Sequence, residues 1–585
     1  MNRLATSLSS ALFFVFTIFV YGPFTIYQGN IDEFSIPLRS ILVFLLLPGL
    51  ALFLILSLLG LSLSKKAHQV YASLLFALAV LVWLQGNFFV WKYGLLDGQG
   101  IDWSRGVWRG WVDGILWLVL LTVSCLFFRK VYKIAGFGSV AVTALLLASL
   151  VFTSIQKPEI WVAKNKSLKN MVPPREIFEF SLQQNVIHFI LDGFQSDFFE
   201  EIVAENPVRY SGSLEGFTFF KETSGAFPTT YMSIPAILSG KIYKNNMAMH
   251  KFVVKAIRGR TIANRLHGLG YETDLVSDSL FARGTRAETW YKIAVPYGGT
   301  NREYLKSNSA VMLDLVLFRH VPHFLKKLIY NDERWLVQRL LGLENQNLRN
   351  RYFSHQAFLS DMIANMSVNR SVPVYKYIHL MTTHPPVVVD KECQYATDIP
   401  GTRENLKAQA KCGLDHFLEF LDKLREKGIY DSSLIILHAD HGLGRPVKMK
   451  NQDTLPKEGW PVEEGGLAEI AGSAAALMAV KPPYSKGPMK TSRALVSLTD
   501  IAATITSLLN LGARTHGRSA YEVDENEVRE RWFYFYHWRH ENWRSTYFPR
   551  LDEFVIKGSL FDENSWRLNF TYYPPTGSKK RVSPR

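Results

Sequence analysis

In the stretch 227–241, FPTTYMSIPAILSGK, a threonine stands where a helix should begin. Thr230 is followed by a helix-compatible run over 231–238 and by Ser239-Gly240, which reads as the stop. A hydroxyl in that place faces unpaired backbone N–H groups and the positive end of the helix dipole, so an anionic phosphoryl or sulfuryl group can dock against its oxygen. Taken alone, Thr229 or Thr230 is more commonly an N-cap, so chemistry needs partners elsewhere in the chain. The run NVIHFILD at 185–192 reads as a buried strand ending in a carboxylate, Asp192, before Gly193 and a helix from about 196. Ligands collect at the carboxyl ends of strands in open α/β sheets, although a carboxylate there also serves to cap the next helix. A strand over 374–380 leads into MTTHPP and places His384 just past its end. The run 433–437 is followed by HADHG, where the adjacent Asp440 and His441, with Gly442 turning the chain away, suit a hard or borderline divalent cation. Asp-His-Gly alone is a weak motif. Arg445, Lys448 and Lys450 follow, and they offer either a grip on a phosphate or acidic acceptor or a solvated basic loop.

The elements that must carry these residues alternate. Strand patterns near 217–221 and 274–277, with helices from 230 and over 259–267, recur at βαβ spacing, which predicts an α/β domain with a largely parallel sheet. Between about 295 and 352 the alternation lapses. Met312, Leu315, Val316, Phe318, Phe324 and Leu328 interleave there with Arg319, His320, Lys326 and Lys327, which fits an interfacial amphipathic helix or, more commonly, a helical pair inserted into the domain and packed on it. From about 521 the sequence turns aromatic and strand-like, through 532–538 and 566–573, and predicts a small antiparallel appendage whose aromatics serve packing.

The 585 residues are too many for one compact domain, and the first quarter is nearly charge-free in five apolar runs at about 8–27, 40–63, 70–91, 111–128 and 135–154. A formal charge of +15 permits a nucleic-acid partner, but the basic residues are scattered and a membrane accounts for them; no nucleic acid is expected. Lys65, Lys66, Arg129, Lys130 and Lys133 fall in the second and fourth loops, against Asp32 and Glu33 in the first, so the amino terminus is read as cytoplasmic and everything after 155 as external. Gln85 and Asn87 in the third run serve either hydrogen bonds between helices, the commoner use, or a lipid-headgroup site. With three cysteines neither a disulfide-dense scaffold nor a cysteine zinc site is available; Cys393 and Cys412 are bridged if their domain lies outside the cytoplasm and ordinary buried thiols if not. The expected organisation is a transmembrane domain over 1–155, a juxtamembrane linker over 156–182 carrying Lys164, Lys166 and Lys169, a catalytic domain over 183–520 and a β appendage over 521–585.

Asp192 at a strand end, Thr230 at a helix start, His384 and the Asp440-His441 pair, in this order, resemble the sulfatase-like branch of the alkaline phosphatase superfamily over about 183–520. With five spans ahead of it, the chain looks like the bacterial membrane phosphoethanolamine transferases and the lipoteichoic acid synthase or phosphoglycerol transferase group. The resemblance implies a five-helix transmembrane domain joined to a sulfatase-like α/β domain. It places the nucleophile on Thr230, ten residues before Gly240, with Ser233 three positions after it as in the transferases. Metal ligands fall on Asp192, Asp440, His441 and Thr230, and a phosphate- or headgroup-holding histidine on His384, with Arg445 and Lys448 as further substrate contacts. One divalent ion is implied, zinc or manganese, because the second site's middle-motif aspartate is replaced by Leu380. Threonine cannot become formylglycine, which argues against sulfate ester hydrolysis, and Asp192 stands where many of the membrane transferases have Glu. The implied activity is transfer of a phospholipid-derived phosphoethanolamine or phosphoglycerol group to a cell-envelope glycan or lipid at the bacterial inner membrane. The alternatives are a phosphoester or phosphodiester hydrolase and a non-catalytic lipid sensor or assembly partner.

Overall fold

The computed structural model describes residues 2–31, 34, 36–91, 93, 101, 103, 106–161, 172–277, 281, 284–293, 297, 301–331, 334–343, 346–396, 399–450, 466–512, 515–537, 547–575 and 580–581, by backbone alone at 301, 303–304, 331, 334, 346–351 and 580–581. Asp32, Glu33, Lys164, Lys166, Lys169 and Trp538 lie outside them. The chain forms two compact units: Met1–Val172 with Gly298–Leu348, and Pro173–Tyr297 with Arg349–Arg585.

In the first unit five helices are long and apolar enough to cross a membrane: Arg3–Gly29, Leu38–Ser62, Lys65–Asn87, Val107–Leu126 and Phe128–Gln156. Several start earlier than the hydropathy alone indicates, because polar ends such as Arg3, Lys65 and Arg129 continue the helix past the apolar stretch. Leu46, Leu47, Ile55 and Leu58 are exposed, while small and polar side chains turn inward. Ser7 Oγ meets His68 Nε2 at 2.9 Å, and Gln85 Nε2 donates to Asp113 Oδ2 at 3.1 Å. Trp117 Nε1 donates to Gln85 Oε1 at 3.2 Å, so Gln85 bonds between helices, whereas Asn87 donates only to Trp83 O of its own helix.

The stretch 298–348 also belongs to this unit and does not pack as a helical pair on the α/β domain. Its first helix, Asn301–His320, lies against the first three spans. The approach runs over glycines: a Cβ on Gly86 would sit 2.1 Å from His320 Cδ2, and one on Gly22 would sit 2.8 Å from Val316 Cγ1. Arg319 Nε donates to Gly86 O at 2.7 Å. The second helix, His323–Ile329, begins with His323 N–H donating to Asp113 Oδ2 at 2.8 Å, and Trp91 Nε1 donates to Asp113 Oδ1 at 2.9 Å. A carboxylate buried in an apolar span must be satisfied, and the excursion supplies part of what satisfies it. Its mixed apolar and basic pattern reads the same in sequence whichever body it packs on.

The second unit is built on one sheet. Strands β1 (Asn185–Leu191), β2 (Thr218–Phe220), β3 (Glu272–Val276), β4 (Thr289–Tyr291), β5 (Val374–Leu380), β6 (Leu434–His438), β7 (Met478–Lys481) and β8 (Lys490–Ser492) take the order β8-β2-β7-β6-β1-β5-β3-β4. β7 runs antiparallel to both neighbours and the other pairs are parallel. Every residue of β1, β5 and β6 is buried, as parallel strands covered on both faces require. Ile190 pairs with His379 on one side and His438 on the other, so β1, β5 and β6 end side by side. The appendage is an antiparallel sheet of β9 (Glu530–Phe535), β10 (Leu551–Lys557), β11 (Trp566–Tyr572) and β12 (Lys580–Arg581), with Phe533, Phe554 and Trp566 packed together.

A buried imidazole gives this unit a pH dependence. His416, on the helix Arg403–Glu426, is within 3.1 Å of Ser360 Oγ, and burial pushes its pKa down to about 4 from an ordinary 6.5. The unfolded chain therefore binds the extra proton first, and stability present above pH 6.5 is lost as pH falls toward 4, by on the order of 3 kcal/mol. Melting curves at pH 7 and 4.5 should show a smaller acid loss for His416→Gln, which keeps a hydrogen-bonding group toward Ser360, than for the unmodified protein.

Candidate active site

Asp192 leaves the end of β1, its N–H donating to Leu380 O of β5 at 3.0 Å. Gly193 follows with φ +71, the left-handed conformation that favours glycine, and a Cβ there would also displace the tip of Leu443, 2.6 Å away at Cδ2. Gly193 N–H donates to Asp440 Oδ1 at 3.0 Å, and His441 N–H donates to the same oxygen at 3.1 Å. These two bonds fix the Asp440 carboxylate past β6 and leave its Oδ2, like Asp192 Oδ1, buried without a hydrogen-bond partner.

Thr230 opens the helix Thr230–Ser239, which ends on Gly240 at φ +66, where a Cβ would come 2.2 Å from His516 Cβ. Ser233 Oγ donates to Phe227 O at 2.8 Å and holds the entry loop against the first turn. Thr229 occupies the N-cap position with extended backbone but makes no side-chain cap; its hydroxyl pairs with the Tyr536 hydroxyl, just past β9. The cap expected of Thr229 is thus absent, because a partner from the appendage takes the hydroxyl.

These elements bring Thr230 Oγ1 to 3.3 Å from Asp192 Oδ2 and 3.3 Å from His441 Nε2. His441 Nε2 is 3.9 Å from Asp192 Oδ1 and 3.5 Å from Asp440 Oδ2. Its Nδ1 lies 2.8 Å from Gly442 O; the N–H belongs on that nitrogen, which leaves the Nε2 lone pair facing the carboxylates. His384 turns Nδ1 to Pro385 O and Nε2 toward Asp192 Oδ1 at 3.9 Å, and Thr383 Oγ1 donates to Asp192 O at 2.6 Å. Burial alone would raise the Asp192 pKa, but the His384, His379 and His441 imidazoles around it hold the carboxyl well below its usual range.

His379 is the residue that sequence reasoning passes over. It sits one position before the β5 terminus with Nε2 3.0 Å from Asp192 Oδ2, close enough to donate to that oxygen or to share a cation with it. Nothing in the run VYKYIHL, which also holds Lys376, marks it out, and it stands beside Leu380, where the middle-motif aspartate is absent. Ligand atoms of Asp192, His379 and Asp440 all lie within 4.8 Å of one another. Two orphaned carboxylate oxygens with imidazole nitrogens beside them form a nitrogen and oxygen donor set that fits a borderline divalent cation such as zinc or manganese.

Gln195 clamps the Arg445 backbone, accepting its N–H at 2.8 Å and donating to its carbonyl at 3.2 Å. Among the described residues no hydrogen bond joins the Arg445 or Lys448 side chain to the site, and Lys448 is exposed. Cys393 and Cys412 are bonded to each other, tying the segment after His384 to the helix Arg403–Glu426. Closing a sequence separation of 19 residues stabilises the fold by about 3 kcal/mol through loop entropy. Cys393→Ser with Cys412→Ser should lower the denaturation midpoint accordingly, read by denaturant titration of the purified protein.

Residues 184–511 match the Sulfatase family. Among solved structures the chain is similar to a protein of the alkaline phosphatase superfamily from Vibrio parahaemolyticus, with 12% identity, a TM-score of 0.38, and 70% of this chain and 84% of that one covered. It is similar to the phosphonate monoester hydrolase SpPMH from Silicibacter pomeroyi, at 14% identity, TM-score 0.37, and 68% and 90% coverage. It is also similar to the lipoteichoic acid synthase LtaP from Listeria monocytogenes, at 14% identity, TM-score 0.33, and 68% and 86% coverage.

Proposed function

The chain belongs to the sulfatase family, and on that premise we propose that it is a membrane-anchored, metal-dependent transferase. It moves a phospholipid-derived phosphoethanolamine or phosphoglycerol group onto Thr230, and from there to a hydroxyl of a cell-envelope glycan or lipid. The observation that carries this reading is Thr230 itself, a hydroxyl at a helix start that cannot become formylglycine, 3.3 Å from both Asp192 and His441. The five apolar helices support a donor drawn from the bilayer and a protein resident in the bacterial inner membrane.

A bound divalent cation, held by Asp192, Asp440, His441 and Thr230, would lower the pKa of the threonine hydroxyl and offset phosphate charge. The remaining work falls to the chain. The positive end of the Thr230 helix dipole lies at the nucleophile and stabilises the charge that builds on the equatorial oxygens. Thr230 Oγ1 attacks in line: the Oγ–P bond forms, the bond from phosphorus to the diacylglycerol oxygen breaks, and that oxygen takes up a proton as diacylglycerol leaves. His384 is placed to hold the phosphate or supply that proton. In the second half the acceptor hydroxyl attacks phosphorus, loses its proton, and returns Thr230 to the free hydroxyl.

The His384 side chain is 26% exposed, so solvent can enter beside it, and hydrolysis with water as acceptor is the second reading. Intact mass of the protein after incubation with phosphatidylethanolamine or phosphatidylglycerol vesicles tests both. A headgroup-phosphate adduct on Thr230 that discharges faster with added glycan or lipid acceptor supports transfer; discharge indifferent to acceptor supports hydrolysis. No adduct and no headgroup release with either lipid would leave the non-catalytic reading.

A further inference from the structure

The helix His323–Ile329 is sorted the wrong way round for water. Lys326 is 2% exposed and His323 is buried, whereas Phe324 and Leu328 stand 56% and 61% exposed on the opposite face. The inward lysine is well used: its Nζ donates to Phe318 O and lies 5.0 Å over the Phe318 ring and 5.5 Å over the Tyr93 ring. On an aqueous surface the lower-energy rotation about the helix axis would put the lysine out and the phenylalanine and leucine in. Leu340 and Leu341, just beyond, are exposed in the same manner.

The position of this helix says what covers the reversed face. His323 N–H is bonded to Asp113, and a Cβ on Gly110 would be 3.2 Å from His323 Cδ2, so the helix meets the span Val107–Leu126 in its first two turns. Asp113 is six residues, about 9 Å at the rise of an α-helix, from the start of that helix and close to the start of its apolar run at about 111, so the excursion meets the span at its end, where interfacial helices lie. Trp108 and Trp111 are exposed on the same turns, where an aromatic belt belongs. The exposed apolar surface of the excursion thus continues that of a membrane span. Lys327 on the outward face of the helix and Arg339 beside Leu340 are exposed cations, and each has a stem long enough to carry its charge back to the headgroups.

We propose that the helix His323–Ile329, with Leu340 and Leu341 beyond it, all encoded in the middle of the catalytic sequence, is seated in the interfacial zone of the bilayer, with Phe324, Leu328, Leu340 and Leu341 in contact with lipid. The proposal stands apart from the transfer reaction. Its test uses the full chain with Cys125→Ser, so that the bonded Cys393 and Cys412 leave no free thiol, and a fluorescent NBD label on Leu328→Cys, in vesicles of phosphatidylcholine with phosphatidylglycerol. A Val208→Cys label, at a position 88% exposed on the second unit, serves as the aqueous control. The label at 328 should emit to the blue of the control, resist iodide, and be quenched by lipids doxyl-labelled near the glycerol, at least about threefold more than at 208. Emission and iodide access matching the control would overturn the proposal. So would protection from iodide without lipid quenching but with a signal that changes when unlabelled copies are mixed in, since a second copy would then be the occupant. A label on Phe324→Cys, on the same face, must repeat the lipid-quenching result, and its failure to do so in protein that retains the 208 control signal counts against the proposal.

Discussion

Thr230→Ala should abolish headgroup release and adduct formation, by on the order of 10⁴-fold or more, because removal of a nucleophile leaves only what the rest of the site contributes by binding. The protein should remain folded. Thr230 is half-buried, its hydroxyl bonds only within the site, and alanine is the better helix former. Thr230→Ser keeps the oxygen but loses the methyl group that restricts its rotamer, and should retain a measurable fraction of the rate. Headgroup release from labelled phospholipid checks both variants. Alanine activity equal to the unmodified protein, with serine no different, would falsify the nucleophile assignment and with it the transfer reading.

Asp192→Asn is expected to be nearly as severe and to act on a different observable. Asp192 is the carboxylate around which Thr230, His379, His384 and His441 are arranged, and its Oδ1 accepts nothing from the protein. An amide in its place removes the negative charge that a divalent ion requires, so metal retained through dialysis should fall from about one per chain to near zero, with activity down on the order of 10³-fold. The backbone bond from Asp192 N–H to Leu380 O and the hydroxyl of Thr383 on its carbonyl survive the change and should keep the turn in place. Elemental analysis of the purified variant decides it. His379→Ala separates two roles: loss of metal as complete as in Asp192→Asn makes His379 a ligand, whereas a 10–100-fold weakening makes it a group that orients Asp192.

The sequence carried the site further than might be expected of motifs that are weak one at a time. Buried parallel strands announce themselves as unbroken apolar runs, and the residue that follows each run is placed at the ligand-binding edge of the sheet. Asp192, directly after its run, and Asp440, two residues past its strand, were legible for that reason, and Thr230 because the resemblance sets the nucleophile ten residues before Gly240. His379 was not, since a histidine inside an apolar strand has no pattern of its own and acquires a role only from the register that sets it beside Ile190. Thr229 and Tyr536 are separated by 307 positions, and nothing local to either indicates the other. The excursion was legible only as two alternatives, an interfacial helix or a helical pair packed on the domain. An amphipathic pattern states that two faces differ, and only the structure shows that Lys326 turns inward with His323 and Ile329 while Phe324 and Leu328 face outward.

The excursion also changes how the polypeptide is threaded. The chain passes from one unit to the other at Val172 to Pro173, at Tyr297 to Gly298 and at Leu348 to Arg349. A protease that nicks only the first of these junctions separates 1–172 from 173–585, yet the excursion, packed against the spans and joined at both its ends to the second unit, still tethers that unit; release requires the other two junctions to be cut as well or the excursion to unpack. Biosynthesis is constrained in the same way. Asp192 and Thr230 are made before the excursion, whereas the strands leading to His384 and Asp440 are made after it. A nascent chain therefore cannot bring Asp192 and Asp440 together until the excursion has been synthesised, so the candidate site is completed only after the five apolar helices and the excursion exist.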